Sequence, residues 1–428
     1  MSDTRPYKKT TLPNGVRIVT GRMEGVKSAS LIIAYNVGSR IEPAPIAGAA
    51  HFLEHMLFKG TTNRPDPLTI SQEIESVGGI LNAGTGRENT SYWAKVPGMH
   101  LALAFEVLAD MLRNSVFDPD ELEKERKVIF EEIRAVQDIP EDMVHDVIDQ
   151  LVWGDDPVGR DVAGSEETVA NIDREAMVDF FHRNYGADRL VVAAGGDVNH
   201  EEVVALTERF FGDLPVTINP HTSTVASSDQ TEKRIKLITR DTEQAHLCLG
   251  FPALSYYDDR RYVQSTIEAI LSSGMSSRLF QEIREKRGLV YSVYGYFRSH
   301  EDIGQGVIYA GTDTERVKET IEAIMVELKK LRDEPVPEDE LERTKTLRKG
   351  RLLMGLEDSR SVASWVGSQE ATYGFIETPE EMMVHIDAVT SAQVQELAND
   401  LLQEQLMNLV LIGPYARERE YLPLITLD

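Results

Sequence analysis

Apolar residues along this 428-residue chain recur with two different periods, and together these predict a mixed α+β fold. Gly15 to Val19 and Ser28 to Val37 are β-rich runs set among turn signals, and they predict strands. Gly48 to Phe58 spaces its apolar residues three and four apart and predicts a helix. Further helices are expected over Leu68 to Val77, Met99 to Asn114 and Pro119 to Gln137, and a strand over Arg189 to Ala194 that ends at Gly195-Gly196. From Pro215 to Lys233 the periodicity disappears into Thr, Ser, Pro, Asn and Asp, as in an interdomain linker.

Beyond that segment the pattern starts again. Asp120-Glu-Leu-Glu123 recurs as Asp339-Glu-Leu-Glu342, and Leu190-Val191 recurs as Leu409-Val410, both displaced by 219 positions. Two short matches are open to chance, but each sits in the same local context, so a duplicated α+β domain is the economical reading. The expected division is a first domain over 1–214, a linker over 215–232 and a second domain over 233–428. At the constant offset His51 and His55 fall opposite Ile270 and Gly274, which leaves the second copy without metal ligands.

Composition narrows the chemistry. Hydrophobic residues at 41% and charged residues at 27% are ordinary for a globular protein, and no run approaches the roughly 18 apolar residues of a membrane span. A net charge of −26 argues against nucleic acid or an anionic membrane as partner, since phosphate binding needs clustered Lys and Arg. Most of that charge reads as solvated surface, with an acidic chamber for basic peptides as the sharper alternative. A single cysteine, Cys248, excludes an intrachain disulfide and a Cys-based zinc site, so any metal must be held by His and carboxylates. Met1 to Arg17 is polar and carries neither a secretory nor a transit pattern, so the expected location is cytoplasmic.

Within the first predicted helix stands His51-Phe-Leu-Glu-His55. At 100° per residue, His55 lies about 40° round from His51 and Glu54 about 60° to the other side, so all three share a face. Two imidazoles one turn apart can supply two zinc ligands, and a carboxylate beside them can take a proton from water. With Glu before the second His, the order is that of the inverted zincin motif. The pentapeptide can arise by accident, and a third ligand is needed. On the helix after Pro119, Glu125 and Glu132 share an arc of about 140° with Leu122, Val128, Ile129 and Ile133, an arrangement that is costly unless they are paired or metal-bound. Glu132 is the better candidate ligand and Glu125 a partner that orients a histidine, although simple pairing with Lys or Arg stays open.

These residues resemble the insulinase/pitrilysin (M16) metallopeptidase family, in its short branch akin to mitochondrial processing peptidase and bacterial relatives, over essentially the whole chain. In that family a zinc-binding glutamate follows the inverted motif after 76 residues, and counting on from His55 reaches Glu132. The resemblance implies zinc, one per subunit, on His51, His55 and Glu132, with Glu54 as general base and Glu125 as the supporting acid. It implies α+β architecture: two duplicated domains, each a mainly antiparallel sheet with helices on one face (a LuxS/metallohydrolase-like fold).

Two more stretches resemble family segments. Gly78 to Thr85 matches the edge strand that pairs with an extended peptide around Asn82 and Ala83, although it reads equally as a Gly-rich hairpin. Leu279 to Tyr291 matches the segment of an Arg/Tyr pair, here Arg284 and Tyr291, able to donate to an oxyanion; without the resemblance it is a surface helix leading into a strand. Because one chain carries both motifs, the implied assembly is a homodimeric clamshell that hydrolyses unfolded peptides, with the pair of one subunit completing the site of the other. A heterodimer with a second chain of the family, and a non-catalytic scaffold, are the alternatives.

Overall fold

The computed structural model describes residues 5–217 and 230–428, so most of the expected linker lies outside the described residues. In the first half of the chain, β1 (Lys8–Thr11), β2 (Arg17–Arg22), β3 (Ser28–Tyr35), β4 (Ile80–Thr85), β5 (Thr90–Pro97) and β6 (Leu190–Gly196) form one sheet in the order β1-β2-β6-β3-β5-β4. Only β2 and β6 run parallel. The helices are α1 (Ala49–Leu57), α2 (Pro67–Glu75), α3 (Leu101–Asn114), α4 (Pro119–Asp138), α5 (Pro140–Trp153), α6 (Glu166–Ala170), α7 (Arg174–Asn184) and α8 (His200–Phe211). Asp118 starts α4, its Oδ1 accepting from the backbone N–H groups of Asp120 and Glu121 at 2.9 and 3.2 Å.

The second half repeats this plan. β7 (Arg234–Thr239), β8 (Gln244–Ala253), β9 (Val290–Ser299), β10 (Gly304–Asp313) and β11 (Asn408–Gly413) are ordered β7-β11-β8-β10-β9, the layout of β2-β6-β3-β5-β4, with β7 and β11 as the parallel pair. Helices α9 (Arg261–Ser272), α10 (Val317–Asp333), α11 (Glu338–Gly355), α12 (Ser359–Tyr373), α13 (Pro379–Ala388) and α14 (Ser391–Leu401) accompany them, with a π-helical segment at Phe280–Glu285.

Strand register tests the repeat residue by residue. Val191 on β6 pairs with Arg17 and Ala34; Val410 on β11 pairs with Lys236 and Cys248. The offset is therefore 219 for the parallel pair but 214 for β3 against β8. Helix burial agrees with 214: Ala49, Ala50, Phe52, Leu53, Met56 and Leu57 are buried on α1, and so are Val263, Gln264, Thr266, Ile267, Ile270 and Leu271 on α9. The constant offset is corrected accordingly: His51 and His55 stand opposite Ser265 and Ala269, and Glu54 opposite Glu268. The second copy still has no histidine there. By α4 and α11 the offset is again 219, with Leu122 and Leu341 both buried.

Contiguous halves do not describe the compact units. One unit comprises Met1–Arg134, Arg160–Ser223 and Leu353–Thr378; the other comprises Ala135–Gly159, Thr224–Leu352 and Pro379–Asp428. The reason lies in the strands. Leu190, Val192 and Ala194 of β6 face one core with α1 and α3, whereas Val191 and Ala193 face the opposite side, where Ala363 and Val366 of α12 cover them. Likewise Val410 and Ile412 of β11 are covered by Val144, Ile148 and Val152 of α5. Besides the helices on one face, each sheet thus takes one helix from the other half of the sequence on its second face. Burial of each of the valines, leucines and isoleucines among them contributes about 1.5–3 kcal/mol. Among the described residues no helix is long and apolar enough to cross a membrane.

The strand expected over Arg189 to Ala194 is β6, Leu190–Gly196, and it includes both glycines at its end. A Cβ on Gly195 would lie 2.4 Å from the backbone oxygen of Ser359, at the start of α12, so glycine here permits close approach. We predict that Gly195→Ala lowers the urea-unfolding free energy by about 1–3 kcal/mol through overpacking; an unchanged midpoint and slope would show that α12 can lift away freely.

Candidate metal centre

Helix α1 begins at Gly48, whose φ of 96° is left-handed and whose missing Cβ would lie 2.5 Å from the Ala163 oxygen. No side chain of Gly48 caps the helix. Glu42 does so from outside, its buried carboxylate accepting from the N–H groups of Gly48 at 2.7 Å and Ala50 at 2.6 Å. Burial pushes Glu42 up to about 8, against the opposing effect of those two bonds.

From this helix His51 and His55 project together, ring centroids 4.7 Å apart at 72°. Glu132 of α4 meets them, its Oε2 lying 3.9 Å from His51 Nε2 and 3.6 Å from His55 Nε2. One ligand atom from each of the three lies within 4.8 Å of the others, and this is the one such trio among the described residues. The spacings exceed hydrogen-bond lengths, so the groups do not satisfy one another. Ligand atoms around a tetrahedral ion with bonds of 2.0–2.2 Å stand roughly 3.4 Å apart, and this set fits one with slight contraction. Burial, and secondarily His55, pushes His51 down to about 4, which keeps its imidazole in the neutral, metal-binding form.

The surroundings differ for the two histidines. His55 Nδ1 lies 3.2 Å from Glu125 Oε2, and Lys59 Nζ holds the other oxygen, Oε1, at 2.6 Å. The buried Glu125 carboxylate is thereby paired twice. His51 Nδ1 is buried with no hydrogen-bond partner among the described residues, so its tautomer is not fixed in the same way. Glu54 is half-buried and accepts from Thr85 Oγ1 at 2.5 Å, and burial raises it above the usual carboxylate range despite that bond.

The apolar arc expected on α4 is buried only in part. Leu122, Glu125, Ile129 and Ile133 are buried, but Val128 and Glu132 are exposed, the Glu132 side chain to 47%. Glu132 reaches the histidines from the open side. Asn82 and Ala83 sit on β4, an edge strand whose far end carries Thr85. Arg284 and Tyr291 belong to the other compact unit; the guanidinium carbon lies 5.5 Å from the Tyr291 ring centroid and 5.0 Å from that of Phe280, and Tyr291 is 76% exposed. Glu42 and Thr85 were not anticipated, since no local spacing links them to the motif; the pairing of Glu125 with a lysine, left open by the sequence, is made by Lys59 alongside the contact with His55.

The chain matches two family models, described as Insulinase (Peptidase family M16) over residues 17–166 and Peptidase M16 inactive domain over residues 171–348. The first span contains His51, Glu54, His55, Glu125 and Glu132. A Streptomyces coelicolor relative named an uncharacterized zinc protease is 38% identical, covering 95% of this chain and 89% of its own length. A Bacillus subtilis relative of the same description is 37% identical over 95% of this chain and 98% of its own. Among solved structures, a protease from Helicobacter pylori superposes with a TM-score of 0.88 at 22% identity, covering 95% of this chain and 99% of that one. A chain of complex III2 from Candida albicans gives 0.84 at 18%, covering 98% and 99%. At such identities the likeness is one of fold.

His51 carries a pH consequence. In metal-free protein the unfolded chain takes up its proton near 6.5 whereas the folded chain does so only near 4, so the stability due to neutral His51 is complete above 6.5 and is lost as pH falls toward 4. We predict that metal-stripped protein loses on the order of 2–3 kcal/mol more across that window than a His51→Gln variant. Urea titrations at several pH values would check it, and parallel curves would refute it.

Proposed function

Since this chain belongs to the insulinase (M16) peptidase family, in its short two-domain form, we propose that it is a zinc-dependent endopeptidase acting on unfolded peptides. The observation that carries this reading is the convergence of His51, His55 and Glu132 beside the raised carboxylate of Glu54. His51 and His55 would hold the ion through Nε2 and Glu132 through Oε2, one zinc per chain. Bound there, zinc supplies Lewis acidity, acidifying a water and polarising a carbonyl.

The residues of the chain perform the rest. Glu54 takes the proton of the attacking water at its carboxylate and delivers it to the leaving amine nitrogen. Thr85 holds that carboxylate from the end of β4, the strand of Asn82 and Ala83, where an extended peptide adds by main-chain hydrogen bonds whatever its side chains. Glu125, anchored by Lys59, orients His55. Arg284 and Tyr291 donate to the carbonyl oxygen as charge develops on it, from the partner subunit of a homodimer. A heterodimer with a second chain of the family would supply the same groups. The other reading, a non-catalytic scaffold, leaves the three converging donor atoms and the base beside them without a role.

Two experiments test this. Glu54→Gln is expected to lower kcat on a quenched fluorescent peptide library by about 10²–10⁴-fold while keeping stoichiometric zinc, and a chelator is expected to silence the native protein. Loss of zinc in the variant would make Glu54 a ligand instead, and absence of both zinc and cleavage in the native protein would favour the scaffold. Mixing Arg284→Ala with Glu54→Gln chains should restore activity, because a mixed dimer keeps one intact site. No restoration despite proven subunit exchange would exclude action across the interface.

A further inference from the structure

The register equivalence places small residues in the second unit where the first has the side chains that support its histidine. Ala269 stands opposite His55 and Ser273 opposite Lys59 at the offset of 214, and Thr344 stands opposite Glu125 at 219. Three long side chains that clasp one another in the first unit, Lys59 to Glu125 to His55, are all truncated in the second. The space they would fill is a cavity of about 260 Å³ lined by these same three residues. The second unit keeps the backbone frame without these side chains, and the space opens to solvent beside Ser276, Arg343 and Thr346.

The chemistry of the wall is specific. Ala269, Ile270 and Leu347 make an apolar side, and Ser273, Ser276, Ser277 and Thr346 bring hydroxyls. Ser277 is 4% exposed, and its Oγ, which has no hydrogen-bond partner among the described residues, is closed off behind that wall. Two charged residues also line the space. Glu340 is committed, both its oxygens being held at 2.8 Å by Nε and Nη2 of Arg278. Arg343 is loosely held: its ion pair is with Asp339 at 2.9 Å, and both side chains are mostly exposed, 61% and 79%, so solvent screens it. The cavity therefore offers an available guanidinium, with the hydroxyl-bearing Ser273, Ser276 and Thr346 on its wall, and no free carboxylate to repel an anion.

We propose that this cavity binds a small molecule bearing one carboxylate, of about amino-acid size. A guanidinium and a carboxylate match in charge and in planar two-point geometry, whereas a phosphate dianion asks for more positive charge than Arg343 alone supplies. The volume, at the lower edge of ligand pockets, sets the size. The site belongs wholly to the second unit and does not depend on the peptidase reading.

Calorimetric titration of the full-length protein tests this with three probes: acetyl-alanyl-alanine, its C-terminal amide, and acetylglutamate with its α-carboxyl amidated. Native protein and a His51→Ala variant are compared, so that carboxylate binding at the metal centre is separated. Saturable binding of either acid in both proteins, and none of the dipeptide amide, is expected; the preferred acid tells a chain terminus from an acidic side chain. Arg343→Ala should weaken binding by about tenfold or more, the value of a charged hydrogen bond. Ser276→Phe, a change at an exposed position that fills the cavity, should abolish it. Equal binding of acid and amide, unchanged affinity in Arg343→Ala, inorganic phosphate binding more tightly than either acid, or no binding at millimolar concentration would each overturn the proposal.

Discussion

A buried carboxylate is the constraint around which the metal-facing surface is arranged. Glu125 is 7% exposed, and an ionised carboxylate at that depth is tolerable only if its oxygens are occupied. One is held by Lys59, just beyond α1, and the other faces His55 within it. The same contact therefore satisfies the charge, ties α4 to α1 and aims one imidazole. Glu132, two turns further along α4, inherits its position from that tie. In the second unit a threonine and an alanine stand in those places, the tie is gone, and a cavity remains.

Much of the centre was legible in the chain because the chemistry needs local spacing. Two imidazoles one turn apart, with the acid before the second, can be read from a pentapeptide, and an acid seven residues from another on one helical face can be read from a wheel. Groups that act through space left no such trace. Glu42 reaches the start of α1 from an irregular segment, and Thr85 reaches Glu54 from the end of a strand. The wheel also treated Val128 and Glu132 as core, because periodicity reports which residues share a face and not whether that face is covered.

The duplication shows the same limit. Matching tetrapeptides and dipeptides gave the correct offset where they occur, on α4 with α11 and β6 with β11. They could not reveal that the path between β2 and β3 differs in length from that between β7 and β8, which slides α9 by five residues against a constant offset. Hydrogen-bond register detects the slide because each strand pair is anchored independently. Similarly, Gly195 looked like punctuation, but it is a place where a helix from far along the chain lies almost against the strand.

That long-range packing bears on how the protein is made. The sheet beside the histidines is covered on its second face by α12, so the first compact unit is assembled from segments that end at Thr378. A ribosome delivers the motif, the third acid and all six strands of that sheet well before that helix emerges. Until it does, the β-sheet is half-clad, and contacts spanning more than 300 positions must close over a slow search. Chain completion, and not the order of the ligands, then sets when the centre becomes a finished site, and the exposed strand face in the interval is the surface a chaperone would have reason to hold.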